Sequence, residues 1–247
     1  LMELRLISSR HTDECVEVLT GLGYRKEDII ICGNKEQVQS APSYGVLIVN
    51  DYRLVLESDI TALVECTGNT AVSSEVSADA LKKGINVYMV SKETDSVCGP
   101  ILNNIAEKHG TVYSLVNGDQ PRNLLDLYSW GKVLGLEIIA AGKASEYDFV
   151  WDPDTDEFTY MEGPEKPHEN IPGLKEFWHY EGPGTLEGRR KLLEKYMAVI
   201  SADLCEMNLV SNVTGLVPSD RRLNYPVAKI SELADIFIPE EDGGILK

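Results

Sequence analysis

The stretch ALVECTGNTAV, Ala62 to Val72, decides how the rest of the chain is read. An apolar strand runs straight into Thr67-Gly68-Asn69, and a helical pattern starts at once. Parallel α/β sheets end their strands in this way on the edge where ligands bind, outside the carboxyl ends.

Working outward, strand and helix patterns alternate as far as residue 142. Upstream, Glu3–Ser8 reads as a strand and Thr12–Leu22 as a helix with Thr12 as N-cap and Gly23 near its end. Ile29–Cys32 and Val46–Val49 read as short strands around a helical turn or two at Lys35–Ser40, and Ile60–Cys66 as the next strand. Downstream come a helix over Ala71–Lys83, a strand over Asn86–Val90 and a helix from about Pro100 to His109. A strand over Thr111–Val116, a helix over Arg122–Leu134 and a strand over Glu137–Ala141 complete the series. The runs ITALVEC and NVYMV are almost continuously apolar, as in strands buried on both faces. Such a succession predicts right-handed crossovers and an α/β fold: a Rossmann-type, mostly parallel sheet with helices on both faces.

After Ala144 the texture changes. Residues 146–185 are rich in Pro, Gly, Glu and aromatics without sustained periodicity, which predicts a long irregular loop. Leu186–Val210 reads as a long helix or helix pair, with Leu192, Leu193, Tyr196, Met197, Ile200 and Leu204 as a core-facing stripe. A short helix is expected at Ser231–Asp235. The expected organisation is a Rossmann-like nucleotide-binding domain over 1–143 and a smaller α+β substrate domain over 144–247.

The balance of 23 basic against 40 acidic residues, a net charge of −17, is the reverse of what a nucleic-acid surface needs. No apolar run approaches the roughly 20 residues of a membrane span. The five cysteines form no C-x-x-C, so reduced thiols in a cytoplasmic protein are expected. The four histidines show no H-E-x-x-H spacing, and no metal site is expected.

The chemistry-bearing residues gather at five strand ends: Ser8-Ser9-Arg10, Thr67-Gly68-Asn69 after Cys66, Ser91-Lys92-Glu93, Asn117-Gly118-Asp119-Gln120 and Gly142-Lys143. An arginine at the end of a dinucleotide fold's second strand accommodates a 2′-phosphate where an acid would bind the 2′-hydroxyl. Ser8, Ser9 and Arg10 therefore predict NADP in preference to NAD. Cys66, Thr67, Gly68, Asn69 and Ser91 are the other expected cofactor contacts, the glycine allowing close backbone approach and the helix N-termini favouring anionic groups. Lys92 or Lys143 could polarise a carbonyl or deliver a proton, with Glu93 or Asp119 holding the lysine in place. Asp119 reads equally as a helix cap with Pro121 near the first turn. No G-x-G-x-x-G follows the first strand; Gly21-Leu-Gly23 sits at a helix end. The chain is thus expected to start at a second strand and to lack the glycine loop.

The stretches VECTGN (64–69), NVYMVSKETDSVCGP (86–100), VYSLVNGDQP (112–121), EIIAAGKASEY (137–147), EMNLVSNVTGL (206–216) and EDGGIL (241–246) resemble the homoserine-dehydrogenase-like oxidoreductases that often carry a C-terminal SAF domain. That family includes deoxyxylulose-phosphate-reductoisomerase-like enzymes. The resemblance implies a Rossmann-type NADP domain and oxidation or reduction of a small polar substrate. It carries a lysine onto Lys92, the Asp-Gln of GDQP onto Asp119 and Gln120, and the lysine of AGK onto Lys143. Related dehydrogenases associate through the later domain, so self-association is implied as well.

The chain departs from the pattern in two places. The reductoisomerase-like members have Asn-Val-Glu where this chain has Ser91-Lys92-Glu93. Their F-L-D-G-T-K stretch puts an acid and a lysine at Val199 and Ala202, with Asp203 close by. No SAF domain is recognisable. Two alternatives follow: a metal-dependent reductoisomerase using Glu93, Asp119 and Glu206, or a nucleotide-binding regulatory module without catalysis.

Overall fold

The computed structural model describes residues 2–145, 149–160, 168–196, 201–218, 221 and 223–247, with backbone alone for 168, 169, 201 and 202. It is a mixed α/β structure whose chain divides into two compact units, Leu1–Val116 and Asn117–Lys247. The expected boundary near residue 143 lies further along. The helix that precedes it packs on a later helix of the second unit, which places 117–143 with that unit.

The first unit runs β1 (Leu6–Ser8), α1 (Thr12–Gly21), β2 (Ile29–Cys32), α2 (Lys35–Ser40), β3 (Val46–Val49), β4 (Ala62–Glu65), α3 (Thr70–Lys82), β5 (Asn86–Met89), α4 (Lys92–His109) and β6 (Tyr113–Leu115). Two three-stranded sheets result, ordered β1-β3-β2 and β4-β5-β6, and every pairing in them is parallel. β3, the all-apolar VLIV, is central in its sheet and buried at every residue. Its approach is made by Gly45 at φ +82, where a Cβ would fall 2.3 Å from the Asp28 carbonyl oxygen. Only glycine fits there.

In the second sheet the register aligns Leu63 with Val87 and Tyr113, and Glu65 with Met89 and Leu115. By the period-two rule these six share one face. That face packs beneath Ala80 and Leu81 of α3 and Leu102 and Ala106 of α4. Val64 points the other way and is 49% exposed, so the double burial expected of ITALVEC does not hold along β4.

Three local expectations are corrected here. The N-cap of α1 is His11 rather than Thr12, without a side-chain cap bond. α4 begins at Lys92, not near Pro100, so Lys92 and Glu93 lie in a helical first turn. Pro normally pushes its predecessor out of the helical region through a clash with that residue's Cβ. Here the predecessor is Gly99, which has no Cβ, and the helix continues. The strand expected at Glu137–Ala141 is absent. Ile138 instead packs on Gly131, where an added Cβ would meet its Cδ1 at 2.9 Å, and so ties this segment to the preceding helix.

The second unit contains α5 (Gln120–Val133), β7 (Phe149–Asp152), β8 (Glu157–Tyr160), β9 (His168–Glu169), α6 (Pro183–Leu192), α7 (Ser201–Thr214) and α8 (Leu233–Ile236). Of the region expected to be an irregular loop, the described part holds an antiparallel sheet β7-β8-β9. Phe149 pairs with Tyr160 and Trp151 with Phe158, which puts four aromatics on one face. They pack against Ile171, Leu174, Leu192, Leu193 and Tyr196. The helix pair reading of Leu186–Val210 agrees with α6 and α7. Leu204 leaves the expected core stripe, being 43% exposed, while Met197 and Ile200 lie outside the described residues.

Candidate functional site

β4 and β5 are hydrogen-bonded neighbours, so their carboxyl ends lie side by side. The turn after β4 folds back on its own last residue: Thr67 N–H donates to Glu65 Oε1 at 2.8 Å and Asn69 N–H to Thr67 Oγ1 at 3.2 Å. Gly68, at φ +65, donates its N–H to Ser91 Oγ at 2.9 Å, joining the two strand ends. Asn69 then caps α3 by accepting from Val72 N–H at 3.1 Å. A Cβ added at Gly68 would meet nothing within 4 Å, so the outer side of the turn is open. Thr67, Gly68 and Asn69 are exposed, whereas Ser91 is buried.

Beneath this turn lies a polar layer that sequence patterns do not reveal. Glu65 is 2% exposed, and its Oε2 is buried without a hydrogen-bond partner, as is Thr94 Oγ1 in the first turn of α4. Asp95, also buried, accepts from the Tyr113 hydroxyl at 2.6 Å. Burial raises the Asp95 carboxyl above its ordinary range despite that bond. The Tyr113 phenol is raised too, by burial and then by Asp95. Cys66 is exposed as a residue, and its thiol is pushed up by burial and by Glu65, which disfavours a reactive thiolate.

The first unit's remaining predicted residues are more loosely placed. Ser8 closes β1, and Ser9 Oγ accepts from His11 N–H at 3.1 Å. Arg10 is exposed and has no ion-pair or hydrogen-bond partner among the described residues. Lys92 is half-buried and Glu93 exposed. A cavity of about 390 Å³ lies along the later turns of α3, among Arg53, Glu57, Glu75, Asp79, Lys82 and Lys83. Those charges pair with one another, and the cavity contains none of the predicted site residues.

The second unit has its own cluster. The Lys143 ammonium pairs with Asp203 and Glu206, both fully buried, on successive turns of α7. Ser145 Oγ donates to the other oxygen of Asp203 at 2.8 Å. Burial alone would lower the lysine, but the two carboxylates outweigh it and hold its pKa above the ordinary value. The Tyr225 hydroxyl is buried without a hydrogen-bond partner. Burial, then Asp203 and Glu206, push its pKa up to about 12.

Lys143 is thus an ammonium held by Asp203 and Glu206, rather than by the expected Glu93 or Asp119. Asp119 is the N-cap of α5, accepting from Gln120 N–H at 2.9 Å, and the Gln120 side chain is exposed. Glu206, one of the acids a metal-dependent reading would use, is engaged with Lys143. Among the described residues no group of three or more His, Cys, Asp or Glu is placed to hold a metal ion, and no helix is long and apolar enough to cross a membrane. Val199 lies outside the described residues, as does the side chain of Ala202. Asp203 was legible only as a neighbour of those positions, and nothing in the spacing singled out Glu65, Thr94 or Tyr225.

No protein-family model matches the chain, and no curated protein matches it.

Proposed function

We propose that the chain is an NADP-dependent oxidoreductase of the homoserine-dehydrogenase-like kind, acting on a small polar hydroxy-acid, aldehyde or sugar-phosphate substrate. The bond from Gly68 N–H to Ser91 Oγ carries this reading. It holds two adjacent parallel strand ends together where the N-termini of α3 and α4 open, the place at which such sheets take nucleotides in a Rossmann-type fold. The residues there fit a nicotinamide nucleotide. The turn has an open outer side at Gly68, and Glu65 and Thr94 offer an acceptor and a hydroxyl that the protein leaves unused. Ser8, Ser9 and Arg10 follow another parallel strand and supply a cation suited to a 2′-phosphate.

When bound, the nicotinamide supplies or takes the hydride. Lys143 is the residue of the second unit suited to a substrate oxygen. Two of its N–H groups face Asp203 and Glu206, and the third has no acceptor among the described residues. As an ammonium it donates a hydrogen bond or a proton rather than abstracting one.

The reading is tested by fluorescence titration with NADPH and NADH. NADPH should bind more tightly, and Arg10→Ala should bring the two affinities together. Binding of neither nucleotide would sink the proposal.

A further inference from the structure

We infer that Glu65 and Thr94 form a recognition pair for a primary carboxamide, the polar group of a nicotinamide ring; the inference rests on the nucleotide reading above. A buried polar atom without a partner is rare in folded proteins and costs stability unless something else satisfies it. Among the described residues of this unit four such atoms occur, Ser58 Oγ, Glu65 Oε2, Ser77 Oγ and Thr94 Oγ1. Of these, Glu65 and Thr94 follow neighbouring strands: Glu65 ends β4, and Thr94 lies in the first turn after β5. Glu65 also stays close to the strand ends through its other oxygen, which accepts from Thr67 N–H.

The donor and acceptor inventory narrows the ligand. Glu65 has one oxygen engaged by Thr67 N–H and one without a partner, so it presents one unshared oxygen to an N–H or O–H donor. A sugar diol, which grips a carboxylate through both oxygens, is poorly matched to that. Thr94 can donate to a carbonyl. One donor and one carbonyl acceptor on a flat group describe a primary amide: its NH2 donates to Glu65 Oε2 and its oxygen accepts from Thr94 Oγ1–H. Both atoms are closed to solvent. The exposed Thr67-Gly68-Asn69 turn, whose backbone folds over the carboxylate, therefore shifts outward on binding.

The test uses NADP+ and its 3-acetylpyridine analogue, which keeps the carbonyl and replaces the NH2 by a methyl group. Binding is followed by tryptophan fluorescence without substrate, and folding by circular dichroism. The wild-type chain should bind NADP+ about tenfold or more tightly than the analogue, as expected for a hydrogen bond to a charged group. Glu65→Met should bind both alike, and Glu65→Gln, which keeps an acceptor, should recover part of the preference. Thr94→Val should weaken both ligands by a similar factor, because the carbonyl is common to them. Equal wild-type affinity for the two, a preference that survives Glu65→Met, or unchanged affinities in Thr94→Val would each overturn the inference while leaving nucleotide binding intact. Should Glu65→Met fail to fold, Thr94→Val decides. A wild-type chain that binds neither ligand refutes the nucleotide reading itself.

Discussion

Arg189 and Glu232 meet in two parallel hydrogen bonds of 2.7 and 3.0 Å, with both residues buried. The guanidinium also donates to the carbonyls of Phe177 and Trp178 at 2.8 and 2.9 Å and to that of Val227 at 3.0 Å. One side chain thus ties α6 to the turn before it and to the segment leading into α8. Planar five-donor geometry makes this an arginine's task. Removing one partner of a buried pair costs about 3–5 kcal/mol where the other charge is left uncompensated, and because Lys229 stays 3.1 Å from Glu232 the lower end of that range applies. Arg189→Ala should lower stability by that order in urea unfolding, and Arg189→Lys should recover only a minor part, since an ammonium cannot span the same acceptors.

The same pair sets an acid limit. Burial alone would raise Glu232, but Arg189 and the backbone and side chain of Lys229 outweigh it and bring the carboxyl down to about 2. A folded-state pKa below the unfolded one gives stability that is complete above the unfolded value, near 4.3, and drains as pH falls through the folded one. The wild-type chain should therefore lose stability on acidification from about pH 4 to 2. Glu232→Gln should start less stable at pH 7 and show a shallower loss over that window in thermal melts.

Gly99 gives a prediction of unusual sign. In a helix interior Gly→Ala ordinarily stabilises by about 1 kcal/mol. Here a Cβ would stand 2.1 Å from Asp95 Oδ1, the oxygen that accepts from the Tyr113 hydroxyl. Asp95 would have to turn away and leave a buried polar group without its partner, which costs about 1–3 kcal/mol. Gly99→Ala should therefore destabilise, and in the Tyr113→Phe background it should cost much less. An unchanged cost in that background would disconnect the effect from the Asp95–Tyr113 bond.

Local signals carried the first unit well and the second poorly. β2, α2 and β3 are legible to the residue, because short apolar runs there are bracketed by Gly, Asn and Pro. The start of α4 is hidden because Pro100 looks like a helix opening, and the missing Cβ of Gly99 allows the helix to pass through it. The β7–β9 sheet had a signal of its own. Phe149 and Trp151, then Phe158 and Tyr160, recur at period two with Val150 and Thr159 between them, but the acidic and Pro-rich surroundings mask the pattern. At the sites the limit is different. Lys143 stands out as a lysine after an apolar run, but its partners on α7 lie far along the sequence, and only the fold brings them to it. Glu65 reads as a polar break at a strand end, and its burial becomes legible only once register puts it in line with Met89 and Leu115.

The Lys143 cluster allows stability and chemistry to be separated. With both carboxylates ionised, one ammonium and two acids leave a net charge of −1. Lys143→Met leaves Asp203 and Glu206 buried near each other without a cation, at a cost of about 3–5 kcal/mol, so lost turnover in that variant alone could reflect lost structure. Lys143→Met combined with Glu206→Gln keeps the net charge at −1 and removes the repulsion between the acids. It should recover a large part of the stability, with the coupling read from a double-mutant cycle. If Lys143 donates to the substrate oxygen, the double variant should still bind NADPH like the wild type and still fail to turn over a hydroxy-acid or aldehyde substrate. Recovery of turnover together with stability would make Lys143 a structural counter-ion and remove it from the chemistry. Since its pKa lies above the ordinary lysine value, the stabilising ion pair is complete at neutral pH and is lost only as pH rises through that higher value. The wild-type chain should therefore lose this contribution to stability only in strong alkali, a loss the double variant should not share.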